Sequence, residues 1–308
     1  MKAVRIHEFG GVDVLKFEDL PKPVPEPGEV LIEVKAASVN PVDYKIREGK
    51  YPAVTADKLP MTLGRDVAGV VDALGEGVVT FQAEDAVFAM LPPDRGAFAE
   101  WVRAPAEVCA IKPARLDMVQ AASVPLAALT AWQGLFTHGA LNQGQRVLIH
   151  GASGGVGSFA VQFAKIKGAE VFATASSENR AYVESLGADR VIDYHAERFE
   201  AVVRDADLVY DLIGGETQDR SWQVLKRGGT LVSTVGQPDA AKAAAAGVTA
   251  KGYGAQPDGG QLRQIAALID AGRVKIAIDA VYALGEAAEA ERHLQDDHVV
   301  GKVVLKVA

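Results

Sequence analysis

The chain has 308 residues, of which 49% are hydrophobic and 23% charged, and its formal net charge is -8. This length fits two domains of a globular protein, and the acidic balance argues against binding to nucleic acid or to an anionic membrane surface. The single cysteine, Cys109, excludes an intrachain disulfide and fits a reducing compartment. The sequence shows neither a signal-peptide pattern nor a run of about 18 uncharged apolar residues, so we expect a cytoplasmic protein without a membrane segment.

The first part of the chain is predicted to be β-rich. Residues 29–35 have the pattern of a strand bounded by the turn Pro27-Gly28, and shorter strands are predicted at 67–71 and 86–89. Seven prolines among the first sixty residues disfavour regular helix in this region. A further strand is predicted at 299–307, and we expect it to rejoin this β-rich part.

Strands and helices alternate from about residue 119 onward. Apolar residues at helical spacing predict the helices, and short apolar runs bounded by polar residues or glycine predict the strands. The predicted helices are 119–138, 156–167, 179–186, 239–246 and 261–271, and the predicted strands are 146–150, 170–175, 190–193, 208–213 and 230–235. This alternation requires a parallel sheet covered on both faces, and it predicts an α/β fold with a doubly wound sheet of the Rossmann type.

A glycine-rich turn, Gly151-Ala152-Ser153-Gly154-Gly155-Val156-Gly157, joins one predicted strand to the helix that follows it. Its pattern is A-x-G-x-x-G, in which Gly154 would let the backbone approach a pyrophosphate and Gly157 would let the helix pack against the strand. The helix N-terminus would add free N–H groups and a partial positive charge. The turn therefore predicts a dinucleotide site; the alternative is a tight turn without a ligand.

The residues about twenty positions further on predict which dinucleotide binds. An NAD site would have an acid at the end of the second strand. This strand instead ends in Ser176 and Ser177, which can donate to a 2′-phosphate, and Arg180, which can pair with it. Glu178 lies in the following turn, where it could cap the helix. We therefore expect NADPH rather than NADH, with a solvated surface charge as the alternative reading of Arg180.

With these motifs in place, the sequence resembles the zinc-independent quinone oxidoreductase branch of the medium-chain dehydrogenase/reductase superfamily. The resemblance covers essentially the whole chain and rests on the glycine turn together with residues 1–4, 36–45, 63–69, 210–215 and 301–305. It implies a GroES-like β-rich domain at 1–120, completed by 276–308, that holds substrate, and a Rossmann domain at 121–275 that holds NADPH. It further implies an active cleft between the two domains and a homodimer.

Two positions depart from the family pattern. Ala152 replaces the first glycine of the turn, which we expect to be tolerated, and Glu84 precedes Asp85 where the family often has Gly-Asp. We expect the second departure to affect a surface turn and not the chemistry.

The resemblance also implies that no catalytic zinc is bound. Asn40 stands at the position of the first cysteine ligand of the zinc-dependent relatives, and Arg65 stands at that of the histidine. One cysteine cannot form their structural zinc site, and the six histidines show no metal-ligand spacing. Without a Lewis acid, the expected reaction is hydride transfer from NADPH to an electrophilic acceptor, a quinone or an α,β-unsaturated carbonyl.

The resemblance places Asn40, Asp43 and Tyr44, on the loop after strand 29–35, in the cleft as candidate catalytic residues. Asn40 could bond the substrate carbonyl or the nicotinamide ribose, and Tyr44 could donate to developing negative charge. Asp43 could brace the loop, and Arg65 and Asp66 could form an ion pair where the metal would have been. The alternatives are a turn-forming role for Asn40 and a packing role for Tyr44.

Further candidate cofactor residues lie in the second half of the chain. Thr130 matches the family residue near the nicotinamide, and Tyr194 resembles its tyrosine on the adenosine side. Ile213, Val235 and Gly236 follow predicted strands at the edge of the sheet where cofactors bind, and residues 252–254 could approach the nicotinamide end. The alternative for these is loop geometry alone, and for Thr130 a helix-interior threonine bonded to its own backbone.

Three functional hypotheses follow. The first is an NADPH-dependent quinone or enone reductase. The second is a non-catalytic NADPH-binding homologue, such as a sensor or a lens crystallin of this family, which would keep the same turn. The third is a zinc alcohol dehydrogenase, against which the missing ligands argue and which metal analysis would decide.

Overall fold

A computed structural model describes residues 1–296 and 298–307. Its contacts divide the chain into two compact units. The first consists of Met1–Leu126, Gln256–Gly272 and the residues from Ile276 onward, and the second consists of Ala127–Ala255 with Arg273–Lys275.

The described residues form strands and α-helices with the following bounds. The strands are β1 Lys2–Ile6, β2 Leu15–Asp19, β3 Glu29–Val39, β4 Met61–Thr62, β5 Asp66–Leu74, β6 Ala86–Met90, β7 Trp101–Pro105, β8 Cys109–Ile111, β9 Arg146–Ile149, β10 Glu170–Ala175, β11 Arg190–Asp193, β12 Ala206–Asp211, β13 Leu225–Ser233, β14 Thr249–Gly252, β15 Ile278–Ala283 and β16 Lys302–Lys306. The α-helices are α1 Pro41–Arg47, α2 Met118–Ala122, α3 Pro125–Trp132, α4 Gly155–Lys167, α5 Arg180–Ser185, α6 Phe199–Val202, α7 Gly215–Ser221, α8 Ala240–Ala246, α9 Gly259–Asp270 and α10 Ala287–Asp296.

The first unit is built on a mainly antiparallel sheet with strand order β15-β16-β3-β5-β6-β8, to which β7 adds by pairing with β3. The predicted strands in this region are confirmed, and β3 is longer than expected because β5, β7 and β16 all pair with it. Its residues are almost all buried, as expected for a central strand. The predicted C-terminal strand forms as β16 and does rejoin this unit.

Helix α1 contradicts the expectation that the proline-rich first sixty residues lack regular helix. Pro41 occupies the first turn, where its missing N–H costs nothing, and Asp43 Oδ2 accepts from the Asn40 N–H at 2.7 Å. The helix is fixed to α10 by a buried ion pair in which Arg47 Nε lies 2.6 Å from Glu291 Oε2. The prediction that this region lacks regular helix was wrong because one of its prolines, Pro41, starts a helix.

The second unit contains a parallel sheet with strand order β11-β10-β9-β12-β13-β14. All five strands predicted for this region are present, and β14 adds a sixth. The chain order reverses between β9 and β12, so the carboxyl ends of these two strands form the point at which doubly wound folds bind ligands. The predicted α/β class is confirmed.

The predicted helix 119–138 is divided into three pieces. Helix α2 ends at Ala122, α3 begins at Pro125, and Gln133–His138 forms a π-helical turn. Proline at the start of α3 ends the preceding helix. Helix α9 also differs from the expected domain division, because it packs on β8 and groups with the first unit.

Candidate functional site

The glycine turn connects β9 to α4 in the second unit as predicted. Gly151 has φ +71°, and a Cβ on Gly157 would lie 2.1 Å from Gly151 O, so both positions require glycine. Ala152 is fully buried, and its N–H donates to Thr174 O at 3.1 Å. Ser153, Gly154, Gly155 and Val156 remain partly exposed at the start of the 13-residue helix α4. The first N–H groups of an α-helix have no partner within the helix, so this partly exposed end of α4 can offer them to a ligand.

A buried hydrogen-bond chain lies beneath this turn. Thr174 Oγ1 lies 3.1 Å from His150 Nδ1, and His150 Nε2 lies 3.0 Å from Ser221 Oγ, which itself donates to Thr217 O. Since Ser221 uses its hydrogen on Thr217, Nε2 of His150 carries the proton and Thr174 donates to Nδ1. Burial lowers the pKa of His150 to about 4. The imidazole is therefore neutral and joins the strand end to α7.

Three large apolar side chains that were predicted to contact the cofactor are exposed at the carboxyl edge of the parallel sheet. Tyr194, Ile213 and Val235 are 49%, 56% and 43% exposed and follow β11, β12 and β13. Gly236 follows with φ +143°. Tyr194 packs against His195 with ring centroids 4.3 Å apart and ring planes tilted by 45°. Exposed apolar groups at the ligand-binding edge fit a partly apolar ligand such as a dinucleotide.

Asp211 was not predicted from the sequence to have a role in the site. It ends β12 fully buried, and its Oδ1 accepts from the N–H groups of Ile213 at 3.0 Å and Gly214 at 2.8 Å. Its Oδ2 accepts from Ser233 Oγ at 3.0 Å, and Ser233 Oγ in turn accepts from Val235 N. One carboxylate thus fixes the loops that carry Ile213 and Val235. An acid that directly ends an apolar strand was the available signal.

The three residues predicted to read a 2′-phosphate follow β10. Ser176 is partly exposed and Ser177 is exposed, so both hydroxyls are accessible. Arg180 begins α5, where its Nη1 donates to Val191 O at 3.0 Å and its Nη2 lies 3.2 Å from Glu197 Oε1. Arg190 pairs with the same carboxylate. Arg180 is therefore held in place by partners on two sides, and Glu184 Oε1 lies 4.0 Å from its Nη1, so the two arginines and two glutamates carry no net charge together.

Thr130 lies near the end of α3 and is 6% exposed. Its carbonyl oxygen contacts two tyrosine hydroxyls, that of Tyr210 at 3.0 Å and that of Tyr253. This brings Thr130 and the predicted segment 252–254 together.

The candidate catalytic residues lie in the first unit around a buried carboxylate, Asp66. Its Oδ2 accepts from Ser38 Oγ at 2.6 Å and from Asn40 Nδ2 at 2.9 Å, and its Oδ1 accepts from Leu126 N at 2.7 Å. Lys302 Nζ lies 3.8 Å from Oδ2. Burial raises the pKa of Asp66 and lowers that of Lys302, and the charge of each partner opposes the shift of the other.

The hydrogen bonds of Asn40 narrow its possible role. Both amide hydrogens are used, one on Asp66 and one on Ser38 O at 3.2 Å, and Oδ1 accepts from Lys302 Nζ. Because an amide oxygen has two lone pairs, Asn40 can accept one more hydrogen bond but cannot donate one.

The expected Arg65–Asp66 ion pair is wrong. Arg65 Nε donates to Leu91 O at 2.6 Å, and Leu91 N donates back to Arg65 O. The cation that reaches Asp66 is Lys302, a residue that sequence reading did not select.

Asp43 and Tyr44 differ in accessibility. Asp43 is fully buried and braces the loop as expected, since its Oδ2 accepts from Asn40 N at 2.7 Å. Burial, with the negative charge of Glu291 second, raises the pKa of Asp43 to about 8. Tyr44 is partly exposed, and burial raises its pKa as well. Of the three candidates, Tyr44 is the one with surface to offer a ligand.

Across residues 1–296 and 298–307, no group of three or more His, Cys, Asp or Glu side chains is arranged to hold a metal ion. Over the same residues, no helix is long and apolar enough to cross a membrane.

The two units together define the class of dinucleotide-binding oxidoreductases that combine a parallel sheet with a GroES-like β-rich domain. A family model described as alcohol dehydrogenase GroES-like domain matches residues 26–114, and one described as zinc-binding dehydrogenase matches residues 186–305. The chain belongs to the medium-chain dehydrogenase/reductase superfamily, in its quinone oxidoreductase branch, as predicted.

Individual relatives support this assignment. The chain is 37% identical to an NADPH-dependent alkenal/one oxidoreductase of Arabidopsis thaliana, over 99% of this chain and 79% of that protein. The solved structure of a quinone oxidoreductase from Coxiella burnetii matches with a TM-score of 0.92 and 37% identity, covering 100% of this chain and 99% of that one. A mycobacterial protein complexed with NADPH matches with a TM-score of 0.89 and 30% identity, with full coverage of both chains.

Proposed function

We propose that this protein is an NADPH-dependent oxidoreductase that reduces quinones or α,β-unsaturated carbonyl compounds. The observation that carries the proposal is the edge of the parallel sheet, where a glycine turn and three exposed apolar side chains form a surface suited to a dinucleotide. The activities of the alkenal/one and quinone oxidoreductase relatives indicate the substrate class.

In the proposed complex, the backbone of residues 152–157 holds the pyrophosphate. Tyr194 lies against the adenosine, and Ile213, Val235 and Gly236 line the cofactor along the sheet edge. Ser176, Ser177 and Arg180 hold the 2′-phosphate. Thr130 lies near the nicotinamide. When bound, NADPH supplies the hydride, and the protein supplies orientation and a dry environment.

On the substrate side, Tyr44 donates to the oxygen on which negative charge develops. Asn40 accepts a hydrogen bond, which suits a ribose hydroxyl and not a substrate carbonyl. Asp43 braces the loop that carries both. We propose that the reaction needs no zinc, because Asn40 and Arg65 are engaged with protein partners at the positions that match metal ligands, and Lys302 supplies the buried positive charge there.

The test is to follow NADPH absorbance with a panel of quinones, enones and 2-alkenals, with metal analysis of the same sample. We expect turnover by metal-free protein. NADPH binding without turnover of any acceptor would instead support the non-catalytic homologue, and activity that follows bound zinc would support the alcohol dehydrogenase.

Cofactor choice is tested separately with Arg180→Ala. We expect weaker binding of NADPH and little change for NADH, since only NADPH carries the 2′-phosphate. Arg190→Ala is the matched control, because it removes another partner of the same Glu197 carboxylate. An equal loss for both cofactors in Arg180→Ala would contradict the assignment.

We further propose that the β-rich unit holds substrate and the parallel-sheet unit holds NADPH, that the protein is a homodimer, and that it is cytoplasmic. The single cysteine, Cys109, leaves the chain without an intrachain disulfide, which supports a reducing compartment. Sedimentation analysis tests the dimer.

A further inference from the structure

The helix that carries Thr130 is interrupted, and the interruption has a local cause. Beyond α3 the chain forms a π-helical turn, in which Gly139 N donates to Gly134 O, five residues back. In a continuous α-helix the Gly134 N–H would donate to Thr130 O. Here the Tyr253 hydroxyl also donates to Thr130 O. Side chains that enter the helical hydrogen-bond ladder are a recognised cause of such breaks.

Several hydrogen bonds converge on the Tyr253 hydroxyl. Burial raises the pKa of Tyr253, and hydrogen bonds from Tyr210 and from the Gly134 N–H oppose that rise. Tyr210 is fully buried, and its hydroxyl lies 2.7 Å from that of Tyr253. The Tyr253 hydroxyl therefore donates to Thr130 O, accepts from the Gly134 N–H and contacts the Tyr210 hydroxyl, which itself lies 3.0 Å from Thr130 O.

The space around the break admits only glycine at position 134. A Cβ there would lie 2.5 Å from the Tyr253 hydroxyl and 2.4 Å from Tyr210 Cε2. The Tyr253 ring is held from another side by His138, with ring centroids 4.4 Å apart. The Tyr253 ring is thus held on several sides, and its hydroxyl contacts the helix at Thr130 O.

From this arrangement we infer that Tyr253 is a positioning residue: its hydroxyl lies between Gly134 and Thr130 O and thereby sets the position of Thr130 at the nicotinamide end of the site. The inference rests on the proposed function for the role of Thr130, but the contact of the Tyr253 hydroxyl with Thr130 O and its closeness to Gly134 stand on geometry alone. A positioning role for Tyr253 also gives residues 252–254 a function in the site that requires no contact between them and the cofactor.

The experiment compares Tyr253→Phe, which removes one oxygen, with wild type and with Tyr282→Phe. The control removes a hydroxyl bonded to His293 Nδ1 in the first unit, far in sequence from Thr130. For Tyr253→Phe we expect kcat to fall about tenfold, while KM for NADPH stays within about twofold, because orientation and not binding is lost. Tyr282→Phe should keep the kcat of wild type. A kcat for Tyr253→Phe within twofold of wild type would overturn the inference.

An activity-independent measurement separates this inference from the proposed function. The Gly134 amide resonance should shift and exchange with solvent at a different rate in Tyr253→Phe, and it should be unchanged in Tyr282→Phe. If wild type turns over no acceptor, the proposed function fails and the Gly134 amide decides the inference. An amide unchanged in both shift and exchange overturns the inference even if the enzyme is active.

Discussion

The two units fix their candidate functional groups in opposite ways. In the β-rich unit, charged and polar side chains form a buried network around Asp66, in which Asn40 and Lys302 use nearly all of their hydrogen-bonding capacity. In the parallel-sheet unit, the site is made largely of backbone and exposed apolar side chains, with one neutral buried histidine beneath it. The site in the β-rich unit therefore depends on charge pairing, whereas the site in the parallel-sheet unit depends on backbone geometry.

The largest effect is expected from Lys302→Met, which removes the buried cation of the network around Asp66. Asp66 would then be left as an unpaired buried carboxylate, and we expect a loss of about 3–5 kcal/mol in the free energy of unfolding. Urea denaturation measures it. Lys306→Met, on the exposed end of the same strand, should cost less than about 0.5 kcal/mol. Equal losses in the two variants would show that the network does not depend on its charge.

A second test asks whether the buried network makes stability depend on pH. Asp43 has a folded pKa of about 8 against an ordinary value of 3.8, so the native protein keeps a proton that the unfolded chain releases. Its contribution is complete below about pH 3.8 and is lost as the pH rises towards 8. Between pH 5 and 7 this group should lower stability by up to about 1.4 kcal/mol per pH unit.

Asp43→Asn removes that titration while keeping an oxygen for the Asn40 N–H. We expect its unfolding free energy, measured in urea at pH 5, 6 and 7, to fall less steeply with pH than that of wild type. Asp13→Asn, at an exposed acid of the same unit, should reproduce the wild-type slope. An unchanged slope in Asp43→Asn would mean that this carboxyl is ionised in the native protein.

In the parallel-sheet unit, two glycines of one turn should respond differently to alanine. A Cβ on Gly157 meets Gly151 O at 2.1 Å, whereas a Cβ on Gly154 has its nearest neighbour at 3.6 Å. Gly157→Ala should therefore lose about 1–3 kcal/mol of stability. Gly154→Ala should keep the stability of the free protein and lose NADPH affinity, measured by fluorescence titration. Normal NADPH binding by Gly154→Ala would contradict the proposed approach of the pyrophosphate.

This contrast also explains which features the sequence could predict. The glycine turn and the exposed residues Tyr194, Ile213 and Val235 follow from local spacing at strand ends, and the structure places them at one sheet edge. The bonding of Asn40 could not be derived locally, because its oxygen is paired with Lys302, 262 positions away.

The interrupted helix escaped prediction for a similar reason. Apolar spacing in residues 119–138 is compatible with one helix, and the hydroxyl that breaks it comes from Tyr253, 123 positions beyond Thr130. Helix α1 was missed for a different reason, since Pro41 was counted as a breaker although it occupies a first turn.

The smallest expected effect concerns a backbone position that is independent of both sites. Glu84 is exposed and has φ +71° in the turn before β6. A non-glycine residue costs about 1–2 kcal/mol in this left-handed region, and glycine costs about 0.5–1 kcal/mol more than other residues in unfolded-chain entropy. Glu84→Gly should therefore raise the unfolding free energy by about 0.5–1 kcal/mol and leave turnover unchanged. Glu76→Gly, at an exposed acid of the same unit outside the left-handed region, should instead destabilise slightly. If urea denaturation shows both variants destabilised alike, the backbone of the β-rich unit is not strained at Glu84.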